Sequence, residues 1–397
     1  MTQAKEAETG RQKHGAIIIE GHVQGLANTR ALGEAGIPVV VVDRNNCLAR
    51  YSRYCTGFFY SPDFNSDDLS VFLLDLAHRE GLAGWLLLPS NDHAVHTISR
   101  NRESLAAVFR LTTPGTEVID LIYDKKNLLD LASAKGISIP ATCYFKGPDE
   151  PIPADLRFPV ITRGRFGLTF YKAMKAKALF AGNEEELRAQ LRHISSVYRL
   201  EDTLTQTVIP FDGTNRTVSF TAFCTDGEIR SFWAGWKLRE HPWRFGTATY
   251  AESIGCGECL APTALLLKNL NYTGVCEVEY IRDPGDGSFR LIEMNARTWL
   301  WVGLARACGV DYALMAYRHI NGLDFSYPVD YLKGVKWINY LTDTWFSLGA
   351  IATGRLKLRE YFASMSGKRI PAVFSGRDPL PSLALIMLSF YIARKRR

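Results

Sequence analysis

The 397-residue chain has no uninterrupted apolar run of about 20 residues, which excludes an ordinary membrane-spanning helix. Its eight cysteines are scattered rather than dense, so a disulfide scaffold is excluded and reduced thiols in a cytoplasmic protein are expected. Cys256 and Cys259 form a single CxxC with no second pair at ligand spacing, which argues against zinc or redox work there. The eight histidines contain no HxxxH. His93 and His96 sit three apart on an expected helix and read as ordinary helix residues. No Ser-His-Asp or Cys-His arrangement is visible, and neither are internal repeats or low-complexity tracts. The stretch Met1 to His14 is polar and lacks the apolar run of a secretory signal.

Charge of one sign is also scarce over most of the chain. The net charge is +6, yet the stretch from Arg355 to Arg397 alone carries +8, leaving about −2 elsewhere. A basic face for nucleic acid is therefore not expected. What is present in quantity is core material. Hydrophobic residues make up 47 % and charged residues 22 %, enough for two or three folded domains of ordinary size.

The organisation is legible from the N-terminal side. Ala16 to Ile19 reads as a buried strand, followed by a glycine turn, a helix through Leu26 and Leu32, and Gly36 as its stop. Ile37 to Asp43 is the next strand, so the segment is a βαβ unit on a parallel sheet. The strand Gly84 to Leu88 runs into Pro89-Ser90-Asn91-Asp92, at the end of a strand where open α/β sheets place ligands. The turn Gly21-His22-Val23-Gln24-Gly25 is close to a dinucleotide fingerprint but lacks the full GxGxxG, leaving a nucleotide site, a small-substrate contact and a structural turn all open. Farther on, Asn127 to Lys135 and Glu184 to Ile194 read as helices. Thr203 to Pro210, Thr217 to Cys224, Glu228 to Trp236, Gly274 to Arg282 and Phe289 to Glu293 read as strands. The last two join through Asp283-Pro284-Gly285-Asp286-Gly287, a hairpin connection.

That hairpin carries the chemistry. Glu277 and Glu279 leave one face of their strand, and Glu293, Asn295 and Arg297 are alternate residues of the partner. Pairing about the turn sets Glu279 nearly opposite Glu293. Two carboxylates, an amide oxygen and an arginine suit Mg²⁺ with phosphate oxygens as its remaining ligands. A solvated polar face with Glu–Arg pairs satisfies the same spacing.

Ile292-Glu293-Met294-Asn295-Ala296-Arg297, preceded by Gly274 to Tyr280, resembles the paired metal-binding strands of the ATP-grasp superfamily. Asp124-Lys125 resembles the first ATP lysine of that family, Phe158 to Arg163 the strand ending in the second, and Gln206 to Pro210 the hinge strand that meets adenine. The resemblance spans about residues 15 to 325 and falls within the carboxylate–amine ligase branch, near D-aspartate ligases.

The resemblance implies an α/β and α+β fold. A Rossmann-like parallel-sheet domain (15–120) follows a polar tail (1–14) and precedes an ATP-grasp domain of two α+β subdomains (121–325, the smaller about 140–205). A basic C-terminal region (326–397) carries an apolar helix at 382–393. It implies ATP bound through Lys125, Arg163, Gln206, Thr207, Val208, Asp212 and Lys237, with two Mg²⁺ (or Mn²⁺) on Glu279, Glu293 and Asn295, and Arg297 as catalytic residue. The reaction implied is amide formation from a small carboxylate and an amine through an acylphosphate. An ATP-grasp carboxylase or carbamoyl-phosphate type and a nucleotide-binding protein without turnover are the alternatives, the last because arginine stands at 163 in place of lysine. The phosphate flap falls on Gly164-Arg165-Phe166-Gly167 or on Trp236 to Gly246, where Lys237 and Arg239 are alternate residues. The tryptophans at 233, 236, 243, 299 and 301 read as core, with a substrate-facing role open for Trp243 or Trp299. Peripheral contact of the C-terminal tail with the inner membrane face and homodimerisation both stay open.

Overall fold

The computed structural model describes residues 14–242 and 246–395, with backbone alone for Leu168 and 389–395. The expected substrate-facing role of Trp243 lies outside the described residues, as do the side chains of the basic end at 394–397. The chain divides into two compact units, each assembled from separate stretches. The first takes 1–116, 297–327 and 371–397, and the second takes 117–296 and 328–370. The region 326–397, expected as one piece, is therefore shared between both units.

In the first unit, β1 (Ala16–Ile19), β2 (Val39–Asp43), β3 (Cys55–Tyr60), β4 (Leu86–Pro89) and β5 (Arg110–Leu111) form one sheet in the order β3-β2-β1-β4-β5. Every pair is parallel. The central strands are wholly buried, and this explains why they read as unbroken Ile, Val and Leu runs without alternation. The helix Val23–Glu34 follows β1 directly. Gly25 is required there, because a Cβ would stand 2.1 Å from the Glu20 carbonyl oxygen. The C-terminal stretch is tied into this unit by Asp378, which accepts from Arg30 Nε (2.8 Å), Ser52 Oγ (2.7 Å) and the Arg53 amide (2.8 Å). The apolar helix after it runs Leu380–Lys395, longer than expected. It buries Ala384 and Leu388 and exposes Leu383, Ile386 and Met387.

The second unit holds two sheets. β6 (Thr142–Cys143), β7 (Val160–Gly164), β8 (Leu179–Ala181) and β9 (Thr203–Thr207) lie in the order β6-β9-β7-β8. They enclose a core of Phe145, Val160, Phe170, Leu187, Leu191 and Ile194. The larger sheet comprises β10 (Thr217–Thr225), β11 (Glu228–His241), β12 (Thr247–Ser253), β13 (Gly274–Arg282), β14 (Phe289–Asn295), β15 (Lys336–Ile338) and β16 (Arg369–Pro371), in the order β14-β13-β10-β11-β12-β15-β16. The strand expected to reach Pro210 stops at Thr207, whereas the one expected to stop at Trp236 continues to His241. The β13–β14 connection closes on local hydrogen bonds. Asp283 accepts from the Gly285 amide (2.9 Å) and Asp286 from the Ser288 amide (2.9 Å), and Gly287 takes a φ of 74° that glycine adopts without strain.

Candidate active site

Register decides which acids of the hairpin meet. Glu279 pairs with Glu293 and Glu277 with Asn295, because a bulge at Ile292 shifts by one residue the register that the turn sets for Tyr280 and Leu291. The two pairs then differ. Glu277 is buried and engaged, accepting from Ser219 Oγ (2.6 Å) and from Asn295 Nδ2 (3.0 Å). Glu279 meets Lys237 Nζ at 3.0 Å, and Glu293 meets Lys125 Nζ at 3.3 Å and Arg163 Nη1 at 3.7 Å. Three cations therefore converge on two carboxylates.

Each cation arrives by a separate local device. Lys125 opens the helix Lys125–Ala134, whose N-cap Asp124 accepts from the Lys126 amide (2.9 Å). Asp124 is itself gripped by the Arg165 guanidinium, with Nε at 3.0 Å from Oδ1 and Nη2 on Oδ2. Arg163 stands on β7 and donates Nη2 to the Ile292 carbonyl (2.9 Å). Its Nε is buried with no hydrogen-bond partner among the described residues. Lys237 comes from β11, where a bulge at 238 breaks the alternation with Arg239. The bulge re-aims the chain. Arg239, expected on the same face as Lys237, instead forks onto Asp343, with Nε at 2.8 Å and Nη2 at 2.7 Å.

Electrostatics follow from this packing. The Lys125 charge, aided by Arg163 and Lys237, outweighs burial and holds the Glu293 carboxyl down at about 2. Burial disfavours the Lys237 ammonium, but Glu279, Glu240 and Glu277 overcome it and raise its pKa above the usual lysine range. Burial lowers the Arg163 guanidinium from its ordinary value against the pull of Glu293 and Glu279. Among the described residues no three His, Cys, Asp or Glu side chains gather into a metal-holding group. Two carboxylates with an amide oxygen remain a fit for Mg²⁺, which takes one or two carboxylates beside phosphate and water. The buried, unpartnered Arg163 Nε fits a phosphate oxygen in the same way.

The remaining expected residues are placed differently. Gln206 uses its amide on Thr142 Oγ1 (2.9 Å), and the Thr207 and Val208 amides donate to Ala141 and Pro159 carbonyls at 2.9 Å each. Asp212 is exposed, and its Oδ1 accepts from the Thr214 amide (2.7 Å), Thr214 Oγ1 (2.8 Å) and the Asn215 amide (2.8 Å). Those bonds depress its pKa. The Gly164 to Gly167 stretch is no open flap, because Gly167 starts the helix Gly167–Met174. Trp233, Trp299 and Trp301 are core residues.

Arg297 does not extend the β14 face. The strand ends at Asn295, and the chain passes into the first unit at Arg297. There its guanidinium forks onto Asp92, with Nε 2.6 Å from Oδ1 and Nη2 2.8 Å from Oδ2. This pair belongs to a second polar cluster at the carboxyl ends of β1 and β4, where the strand order reverses direction. Glu20, at a left-handed φ of 74°, accepts from Asn91 Nδ2 (2.9 Å) and Gln24 Nε2 (2.8 Å). Burial raises its carboxyl to about 7, against opposing contributions from Asn91 and Arg297. Gln24 Oε1 is buried without a partner among the described residues. The glycine turn has a structural hydrogen bond at its first residue. Gly21 donates its amide to Asp43 (2.8 Å), occupying the acid that a dinucleotide site would turn to a ribose. Sequence reasoning gives Glu20 no role, whereas Gln24 lies in the glycine turn and Asn91 in the Ser90-Asn91-Asp92 loop, both marked there.

Known proteins share this design. Residues 259–326 match the model of the carbamoyl-phosphate synthase L chain, ATP binding domain. The D-aspartate ligase of Enterococcus faecium (strain Aus0004) is 22 % identical over 294 residues, covering 70 % of this chain and 69 % of that one. The L-amino acid ligase of Bacillus licheniformis superposes with a TM-score of 0.58 at 13 % identity, over 78 % of this chain and 75 % of that one. The N5-carboxyaminoimidazole synthetase of Staphylococcus aureus, complexed with ADP, gives 0.62 at 15 % identity, over 81 % and 80 %. With the paired acidic strands, the two α+β sheets and the preceding parallel sheet all in order, the chain has the ATP-grasp fold.

Proposed function

We propose that the protein is an ATP-dependent ligase that joins a carboxylate to an amine through an acylphosphate. The observation that carries this reading is the group of Lys125, Arg163 and Lys237 around the opposed Glu279 and Glu293. Lys125 and Arg163 both pair with the one carboxylate of Glu293, and a polyphosphate is a ligand that balances cations gathered in this way. Lys125 and Arg163 hold the phosphates, with Lys237 beside them. The backbone of Gln206 to Val208 is assigned to the adenine edge, through its carbonyls where the Thr207 and Val208 amides are engaged, and Asp212 is assigned to the ribose. Glu279, Glu293 and Asn295 would hold Mg²⁺, which when bound would neutralise phosphate charge.

The chemistry asks for positioning more than for a nucleophilic side chain. Lys125 and Arg163 fix the γ-phosphoryl group while an oxygen of the substrate carboxylate attacks phosphorus and the bond to the β-phosphate oxygen breaks, releasing ADP. The amine lone pair then attacks the acyl carbon. Phosphate leaves with the C–O electron pair, and the nitrogen loses a proton. Arg297 is assigned to the transferring phosphoryl group and the tetrahedral oxyanion, its guanidinium plane fixed by the Asp92 fork. The D-aspartate and L-amino acid ligases among the similar proteins support an amino acid as one partner.

The test is Mg²⁺-dependent ADP release over a panel of amino acids, hydroxy acids and peptides, with product mass. Hydroxylamine in place of the amine should trap the activated acid as a hydroxamate. ADP release that needs no carboxylate and yields no hydroxamate would overturn the reading.

A further inference from the structure

The helix Tyr340–Ala352 of the second unit is amphipathic the wrong way round for its own fold. It turns Asp343, 0 % exposed, and Ser347 inward, and presents Leu341, Trp345 and Leu348 to solvent at i, i+4 and i+7. The inward acid explains the orientation. Asp343 receives the Arg239 fork and the Thr249 hydroxyl (2.9 Å), and Asn339 caps the helix through the Thr342 amide. The helix is thus anchored by polar contacts and leaves its apolar stripe without cover among the described residues. Trp345 is 73 % exposed.

The next helix repeats the pattern. After a reversal at Gly354 (φ 72°), Leu358–Ser364 displays Leu358 and Phe362 one turn apart, Phe362 at 65 % exposure. Large apolar and aromatic groups are seldom left exposed together on a monomer without a partner. The exposed charge near them in the chain is mostly of one sign. Arg355, Lys357, Arg359, Lys368 and Arg369 are exposed, and the acid Glu360 stands 3.8 Å from Lys357.

We propose that these two helices form an interfacial anchor that lies in the plane of an anionic lipid surface. Short helices with aromatic tips and a cationic fringe sink to headgroup depth and draw on anionic lipid. No helix among the described residues is long and apolar enough to cross a membrane, so the contact is superficial. Charge selects lipid over a second copy of the chain, because a two-fold pairing of this face would set the same five cations against one another. These two helices belong to the second unit and the Leu380–Lys395 helix to the first.

Flotation of the full chain with vesicles of equal parts phosphatidylglycerol and phosphatidylcholine, beside pure phosphatidylcholine, tests this directly. The chain should float with the anionic vesicles and not with the neutral ones, and salt should weaken the association. Trp345→Glu/Phe362→Glu should cut the bound fraction by about tenfold, with ATP turnover and circular dichroism unchanged. Leu383→Glu/Met387→Glu, on the other exposed helix, should retain binding. Equal flotation of the Trp345/Phe362 variant and the parent overturns the proposal, as does no flotation by the parent at low salt. Light scattering that shows a dimer dissolved by Trp345→Glu/Phe362→Glu also overturns it, and assigns the face to a second copy.

Discussion

Glu293 and Glu20 are both carboxylates drawn out of water, and they titrate at opposite ends of the carboxylate range. Glu293 is held down at about 2 and Glu20 is pushed up to about 7. Burial raises both. The difference lies in what faces them. Glu293 looks onto Lys125 and Arg163, with Lys237 contributing at longer range. Glu20 looks onto two neutral amides, Asn91 and Gln24, with Asp43 and Asp92 adding repulsion and Arg297 spent largely on Asp92. A buried acid is therefore a poor guide to function until its counter-charges are counted. The first arrangement keeps a permanent anion, and the second keeps a proton within reach of neutral pH.

The largest expected effect breaks the first arrangement. Glu293→Gln preserves size and removes one ligand charge, so Mg²⁺-dependent turnover should fall by about a hundredfold or more, with the far-ultraviolet spectrum unchanged. Turnover near that of the parent at limiting Mg²⁺ would detach Glu293 from the chemistry. Next comes the cation facing it. Arg163→Ala should weaken ATP binding by roughly ten- to a hundredfold by calorimetry, and Arg163→Lys should recover much of it, since charge is kept while the fork is lost. Unchanged affinity in Arg163→Ala would show that the unpartnered Nε serves the fold rather than a phosphate.

The two acids also predict opposite pH dependences of stability. The folded pKa of Glu20 exceeds its ordinary value of 4.5, so the native state binds the proton more tightly than the unfolded chain does. Its contribution is full below about pH 4.5 and is lost as pH rises through 7, an order of about 3 kcal/mol at most. Glu293 runs the other way in the nucleotide-free protein. Its contribution is present above about 4.5 and lost as pH falls toward 2. Glu20→Gln should therefore flatten the fall in denaturation midpoint between about pH 5 and 8. A slope equal to that of the parent over that interval would mean that Glu20 does not carry the proton.

How much of this was legible in the sequence depends on how local the cause is. The hairpin and the shared face of Glu277 and Glu279 follow from a turn and a strand period, both readable within about twenty residues, whereas the direct Glu279–Glu293 pairing also needs the bulge at Ile292. Lys125 and Arg163 stand in motifs legible in the sequence, and the structure sets both beside Glu293. The Asp92–Arg297 fork joins residues 205 positions apart and has no local signature. Arg239 was misplaced because a single bulged residue at 238 inverts the face that alternation assigns. The polarity of Tyr340–Ala352 likewise rests on a distant contact. A helix with Asp343 and Ser347 on one side reads as solvent-facing there until Arg239 is seen to claim the aspartate.

Asp212 sharpens the comparison from a third side, with the smallest expected effect. Its pKa is lowered, as that of Glu293 is, but chiefly by the Asn215 and Thr214 amides rather than by facing cations. The group is exposed and its Oδ1 already accepts three hydrogen bonds that shape the turn. Asparagine can make the same turn through its carbonyl oxygen. Asp212→Asn should therefore leave the loop intact and shift the KM for ATP by no more than about threefold, since a ribose hydroxyl contact retained through a neutral oxygen loses little. A rise well beyond tenfold, with kcat unchanged, would show that the charge itself holds the ribose. An unchanged KM in both Asp212→Asn and Asp212→Ala would confine the residue to the turn and remove it from the nucleotide site.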